Sequence, residues 1–286
     1  MNLNEINIRD PFILPYEDKY YLYGSRVGIP TEELYWGAQT GFDVYVSSDL
    51  ENWSEPKSIF EKNDTFWGTR DFWAPEVHLY NGKFYMFATF KADGKCRGTH
   101  VLVSESPEGP FVPLSDKPAT PTDWECLDGT LFIDKNGKPH IVFCHEWLQI
   151  GDGEICEAEL SPDLSYTVSE PRTLWKASDF IGVKSVRENE TAFVTDGPFL
   201  YRSADGDLYC LWSSFAESGY AELVAKSDNG DINGNWNVLQ TPVSEKDGGH
   251  GMVFVSFDGK EYFIMHKPNE PVTAERPVIT EFEIKE

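Results

Sequence analysis

Asp10, Asp128, Asp196 and His250 each open a repeated phrase of strand, Gly- or Asp-bearing turn, strand, and their side-chain types can move protons. The phrases are DPFILPYEDKYYLYG, DGTLFIDKNGKPHIVFC, DGPFLYRSADGDLYCLWS and HGMVFVSFDGKEYFIMH, and a fifth copy, APEVHLYNGKFYMFAT, begins with the inert Ala74. An isolated Asp-Pro or Asp-Gly reads as turn chemistry, because Asp bonds its own backbone and tolerates tight bends. A structural requirement for Asp at this point would have applied to the Ala74 copy as well, so the pattern points to chemistry. Three carboxylates and an imidazole sharing one pocket must perturb one another's proton affinities, and acids pushed apart in this way can divide general acid and general base roles between them. His250, set among glycines, reads either as a packed channel residue or as a metal-associated or charge-balancing partner of the acids.

For residues so far apart in the chain to share a pocket, the repeats must be arranged around an axis. All-β units recurring every roughly 50 to 70 residues mark a β-propeller, in which no unit buries its faces alone and radial stacking supplies the core. The inner strand of every blade then lines the central channel. The expectation is an all-β, five-bladed β-propeller formed by residues 1–286 as a single domain. A further strand follows each phrase, within 42–53, 99–111, 155–166, 221–230 and 277–286, where alternation and turn residues are visible. Helix is scarce, with TEELYW at 31–36 as a candidate for one or two turns. Polar inserts at 54–70, 112–126 and 178–194 read as loops that shape a binding site, and ring closure is expected to join the N-terminal residues to the last blade.

Composition narrows the partners. A formal net charge of −24 repels phosphate backbones and anionic membrane surfaces, so neither nucleic acid nor a membrane is expected. The 40% hydrophobic and 14% aromatic content suits packed antiparallel sheets. The five cysteines are scattered without a CxxC pair and read as reduced, buried residues. Met1 is followed by polar sequence, which points to a cytoplasmic protein, with a secreted or periplasmic one as the alternative if a signal peptide has been removed. P-loop, GxGxxG, GxSxG and HExxH signatures are absent, and DNGDING at 228–234 reads as a turn.

In order and spacing, RDPFI at 9–13, FWAPEV at 72–77, LDGTLFID at 127–134, DGPFLYR at 196–202, and GGHGMVF at 248–254 with MHKPN at 265–269 make the chain resemble the family 43 glycoside hydrolases. That family comprises five-bladed propeller enzymes, among them arabinofuranosidases, arabinanases and xylosidases. The resemblance implies that Asp10 is the general base, Asp128 the residue that raises the acid's pKa and orients it, and Asp196 the general acid. It implies that His250 helps to hold a central calcium ion or its waters. The family usually carries Glu before Gly-Pro where this chain has Asp196, whose carboxyl reaches less far, so Glu190 and Glu146 are alternative acids. Trp73, before the Ala74 slot, could be core or a platform for sugar C–H faces; Trp73, Glu146 and Arg276 are the expected substrate contacts. The function implied is an inverting, exo-acting α-L-arabinofuranosidase on plant oligosaccharides. A β-xylosidase or galactofuranosidase is the alternative within the class, and a non-hydrolytic glycan-binding propeller the alternative outside it.

Overall fold

The computed structural model describes residues 1–28 and 40–284. TEELYW at 31–36 lies outside the described residues. Five antiparallel sheets follow one another along the chain, four of four strands and a last one of three, each strand pairing with its sequence neighbours. The inner strands are Ile8–Tyr16, Arg70–Tyr80, Cys126–Ile133, Asp196–Arg202 and Gly249–Val255. Each packs against the inner strand of the blades on either side, first against last included, which makes the ring. This is the β-propeller the repeats predicted. The third strands, Gly41–Ser47, Gly98–Ser104, Glu154–Glu159, Gly219–Ser227 and Arg276–Glu281, fall in the segments read as further strands. The fourth strands, Lys57–Glu61, Val112–Pro113, Arg172–Lys176 and Trp236–Val238, were not read, because strands this short at a polar edge show little alternation.

Buried aromatic and branched residues fill the spaces between blades. Phe42 and Phe60 of blade one, Phe72 and Phe90 of blade two and Phe66 between them form one cluster of edge-to-face and stacked rings, with Phe66–Phe90 centroids 4.7 Å apart. All five cysteines are free thiols, four of them buried.

Closure uses N-terminal residues without adding a fourth strand to the last blade among the described residues. Instead, the Asn7 side-chain amide donates to the Val272 and Glu275 carbonyls at 3.2 and 2.7 Å, and Arg9 Nη1 pairs with the fully buried Glu275 at 3.0 Å.

One backbone device recurs in all five inner strands. The ladder runs from Arg9↔Ser25 to Phe12↔Tyr23, from Trp73↔Thr89 to Glu76↔Phe87, from Leu127↔Cys144 to Thr130↔Val142, from Asp196↔Ser213 to Phe199↔Leu211 and from Gly249↔His266 to Met252↔Ile264. Each step inserts one extra residue in the inner strand, a β-bulge that re-aims side chains. The second bulge residue is left-handed every time: Asp10, Ala74, Asp128, Gly197 and His250 have φ of 53°, 45°, 53°, 52° and 51°. Asp and Gly accept this conformation readily, whereas Ala74 costs about 1–2 kcal/mol. The repeat thus equates Gly197, and not Asp196, with Asp10 and Asp128. The shared phrase is DPFI against GPFL, and Asp196 stands one residue earlier, level with Arg9 and Trp73.

Candidate active site

The bulges aim the acids into one cavity of about 350 Å³, lined by Asp10, Asp128, Asp196 and His250 together with Trp73 and Glu146. Asp10 is buried, and its carboxylate accepts from the Ser25 hydroxyl at 2.6 Å, from Arg9 Nε at 3.2 Å and from His250 Nδ1 at 3.1 Å. Burial works against charge on Asp10, but His250 and Arg9 outweigh it and hold the carboxyl well below its ordinary range. Burial likewise opposes charge on His250. The facing Asp10 and Asp128 carboxylates reverse this and push the imidazole up to about 10, so it is an imidazolium at neutral pH.

The other two acids shift the opposite way. Burial, with repulsion from Asp196 and Asp10 and despite His250, pushes Asp128 up to about 7. Burial also raises Asp196, against the attraction of His250 and the Tyr220 hydroxyl that donates to its Oδ2 at 3.0 Å. The cavity therefore holds one firmly ionised carboxylate and two that retain a proton more readily, the separation that acid/base division of labour needs.

Substrate-facing groups surround this set. Trp73 presents its ring with the Arg97 guanidinium stacked over it at 4.5 Å, and Arg97 is itself paired with Glu146 and, at 3.0 Å, with Asp71. Glu146 is thus engaged by a cation and is not an unpartnered acid. Glu190 is exposed, pairs with Arg187 at 3.4 Å and does not line the cavity. Arg276 is a correction to the substrate-contact expectation. Its guanidinium donates to the Asn4, Thr273 and Glu275 carbonyls at 2.8, 3.1 and 2.6 Å, at the closure seam and away from the cavity lining. Arg9, Arg97, Trp147 and Tyr220 line the cavity but were missed. Arg9 had a signal, since it precedes Asp10 in RDPFI. Tyr220 and Arg97 had none, because their approach depends on third strands folding back behind the inner ones.

His266, the first residue after Met265 in MHKPN, braces the base from behind. Burial lowers it to about 3, so it is neutral. Its Nδ1 accepts from the Asp10 N–H at 3.3 Å, and its Nε2 donates to Asn269 Oδ1 at 3.1 Å.

The family model for glycosyl hydrolases family 43 matches residues 4–286. Among solved structures, an endo-arabinase from Bacteroides thetaiotaomicron VPI-5482 is 42% identical with a TM-score of 0.91, over 100% of this chain and 97% of that one. A thermostable family-43 glycoside hydrolase is 26% identical with a TM-score of 0.80, over 98% and 90%. Among curated proteins, the extracellular exo-α-(1→5)-L-arabinofuranosidase ArbA of Cellvibrio japonicus is 24% identical, matching 92% of this chain and 79% of its own length. The extracellular endo-α-(1→5)-L-arabinanase 1 of Bacillus subtilis is 25% identical over 56% of this chain and only 49% of its own length. These extracellular relatives give no support to the expectation of a cytoplasmic protein, although no helix among the described residues is long and apolar enough to cross a membrane. With a match that runs through all five blades and every inner strand, the chain belongs to glycosyl hydrolases family 43, enzymes that hydrolyse glycosidic bonds.

Proposed function

We propose that this chain is an inverting hydrolase of α-L-arabinofuranosyl linkages in arabinose-containing oligosaccharides. The observation that carries the reading is the split in proton affinity between Asp10 and the Asp128–Asp196 pair within one cavity. Asp10, ionised beside His250 and Arg9, takes a proton from the water that attacks the anomeric carbon. Asp196, partly buried and holding its proton more readily than Asp10, gives that proton to the leaving oxygen as the bond to the sugar breaks. Burial holds the proton on Asp196, and Asp128 orients the acid and, when itself ionised, adds like-charge repulsion that raises it further. Trp73, held flat by Arg97, offers its face to a sugar ring. Arabinose as the sugar is supported by the 42% identity to the endo-arabinase and by ArbA.

Proton NMR of the first turnover tests the mechanism. The β-anomer of arabinose should appear first from an α-arabinofuranoside and then mutarotate; the α-anomer appearing first overturns inversion. Exo action follows the reading of the sequence, whereas endo action is favoured by the similarity to the endo-arabinase. Arabinan digests separate them, since exo action releases arabinose alone from the start and endo action gives a ladder of oligosaccharides. Binding without hydrolysis across a panel of nitrophenyl glycosides, xylosides and galactofuranosides included, would support a glycan-binding propeller instead.

The calcium ion implied by the resemblance does not fit as a directly ligated ion. Among the described residues no three His, Cys, Asp or Glu side chains are grouped to hold one, and His250 turns Nδ1 onto Asp10. The proton transfers above use only the side chains of the chain itself.

The pH dependence follows from the same groups. Asp10 stays ionised far into acid, so the acid limb of kcat lies low. As pH rises past the point at which Asp196 titrates, which burial holds above the ordinary carboxylate range, the acid loses the proton that the leaving group requires. Activity should be highest below that point and fall by about tenfold per pH unit above it. A profile of kcat against pH that stays flat to strongly alkaline conditions would remove Asp196 as the acid.

A further inference from the structure

Four of the five blades lock onto the next through the same rung. The second-strand residue opposite the first bulge residue is Ser25, Thr89, Ser213 and His266 in blades one, two, four and five. Each accepts a hydrogen bond from the N–H of the next blade's left-handed residue: Ala74 to Ser25 at 2.7 Å, Asp128 to Thr89 at 2.8 Å, His250 to Ser213 at 2.7 Å and Asp10 to His266 at 3.3 Å. These N–H groups are buried and must find a partner, and the rung supplies one that also sets the pitch between blades.

Blade three departs from the rule. Register places Cys144 at its rung, opposite Leu127, where its thiol meets the Thr195 side chain, and the left-handed residue of blade four, equivalent to those above, is Gly197. Cys144 is fully buried and carries a free thiol, a weak acceptor. The Gly197 N–H donates elsewhere, to Asp128 Oδ2 at 3.0 Å. Asp128 is consequently tied at both ends, its own N–H to blade two and its carboxylate to the backbone of blade four, one residue from Asp196. The space around Gly197 leaves this bond little slack, since a Cβ there would lie 2.6 Å from the His250 ring.

We propose that Cys144 is a positioning residue for the reaction, because withholding a hydroxyl at this rung leaves the Gly197 N–H to the Asp128 carboxylate and so fixes that carboxylate beside Asp196. A hydroxyl at 144 would complete the rung as in blades one, two and four, and Asp128 would lose the donor that sets its orientation. The kinetic consequence rests on the hydrolase reading above; the hydrogen-bond exchange does not.

The test is Cys144→Ser, which is smaller than the native side chain and fits the site, beside Cys144→Ala, which removes the thiol without adding an acceptor. In the Ser variant the Gly197 amide proton should move upfield in a proton–nitrogen correlation spectrum, as its acceptor changes from a carboxylate to a neutral hydroxyl. Its kcat should fall by about tenfold to a hundredfold, the range for a catalytic group displaced by a fraction of an ångström to an ångström, with KM and thermal midpoint unchanged. The Ala variant should keep the wild-type Gly197 shift. The proposal is overturned if the Ser variant keeps both the wild-type shift and the wild-type kcat, or if Ala moves the shift as far as Ser does. Should the wild type hydrolyse nothing, the hydrolase reading fails while the amide shifts still decide the role of Cys144.

Discussion

Asp10→Asn should lower kcat by about 10²–10⁴-fold, the contribution of a positioned general base, while oligosaccharide binding measured by calorimetry survives. The substitution suits the backbone, because Asn is among the few residues that accept the φ of 53° found at Asp10, so the bulge should persist. An amide can still accept from the Ser25 hydroxyl, which now bonds the carboxylate at 2.6 Å. What it lacks is the charge that removes a proton from water and that opposes His250 and Arg9. The imidazole, now held up to about 10 against burial by Asp10 and Asp128, should titrate lower in the variant, which proton NMR of His250 can follow. Full activity in a folded Asp10→Asn protein would remove Asp10 from the mechanism. Equal binding with no hydrolysis by either form would favour the glycan-binding alternative.

Asp196→Asn should give a loss of similar size, about 10²–10⁴-fold, on natural oligosaccharides, but the loss should depend on the leaving group. A general acid matters in proportion to how much the departing oxygen needs a proton. An arabinoside of an acidic phenol such as dinitrophenol leaves without help, so the variant should hydrolyse it at a rate close to that of the wild type. The alkaline limb of the pH profile should also disappear with that substrate. Asn keeps an oxygen able to accept from Tyr220, whose phenol burial holds well above its ordinary value and which therefore remains a donor. An equal loss on both substrates would mean that Asp196 holds the sugar and that another group supplies the proton. Asp128 and Glu146 are the other buried acids of the cavity that burial raises, and Glu146 is paired with Arg97.

The legible part of the fold was the periodic part. Inner hairpins and third strands show alternation and turn residues because one face of each packs against the next blade. The short outer strands at 57–61, 112–113, 172–176 and 236–238 carry little of that signal, since they sit at the polar rim. The candidate site was legible where chemistry and repeat coincide, at Asp10, Asp128 and His250. Asp196 was named from the same phrase, although it occupies the position before the slot, an offset visible only once Gly197 is seen to hold the left-handed place. Arg276 was misplaced because a lone arginine in a closing strand gives no indication of whether it faces the cavity or the seam.

The sequence by itself determined the number of blades and the placing of Asp10, Asp128 and His250 toward the axis, because both are written in a local repeated pattern, and repetition around a ring turns equivalent positions into neighbours. Only the tertiary structure decided which acid is ionised and which keeps its proton. That outcome depends on burial and on His250, brought to Asp10 and Asp128 from another blade, and contacts of 3.1 and 3.8 Å between groups far apart in the chain leave no trace in local sequence.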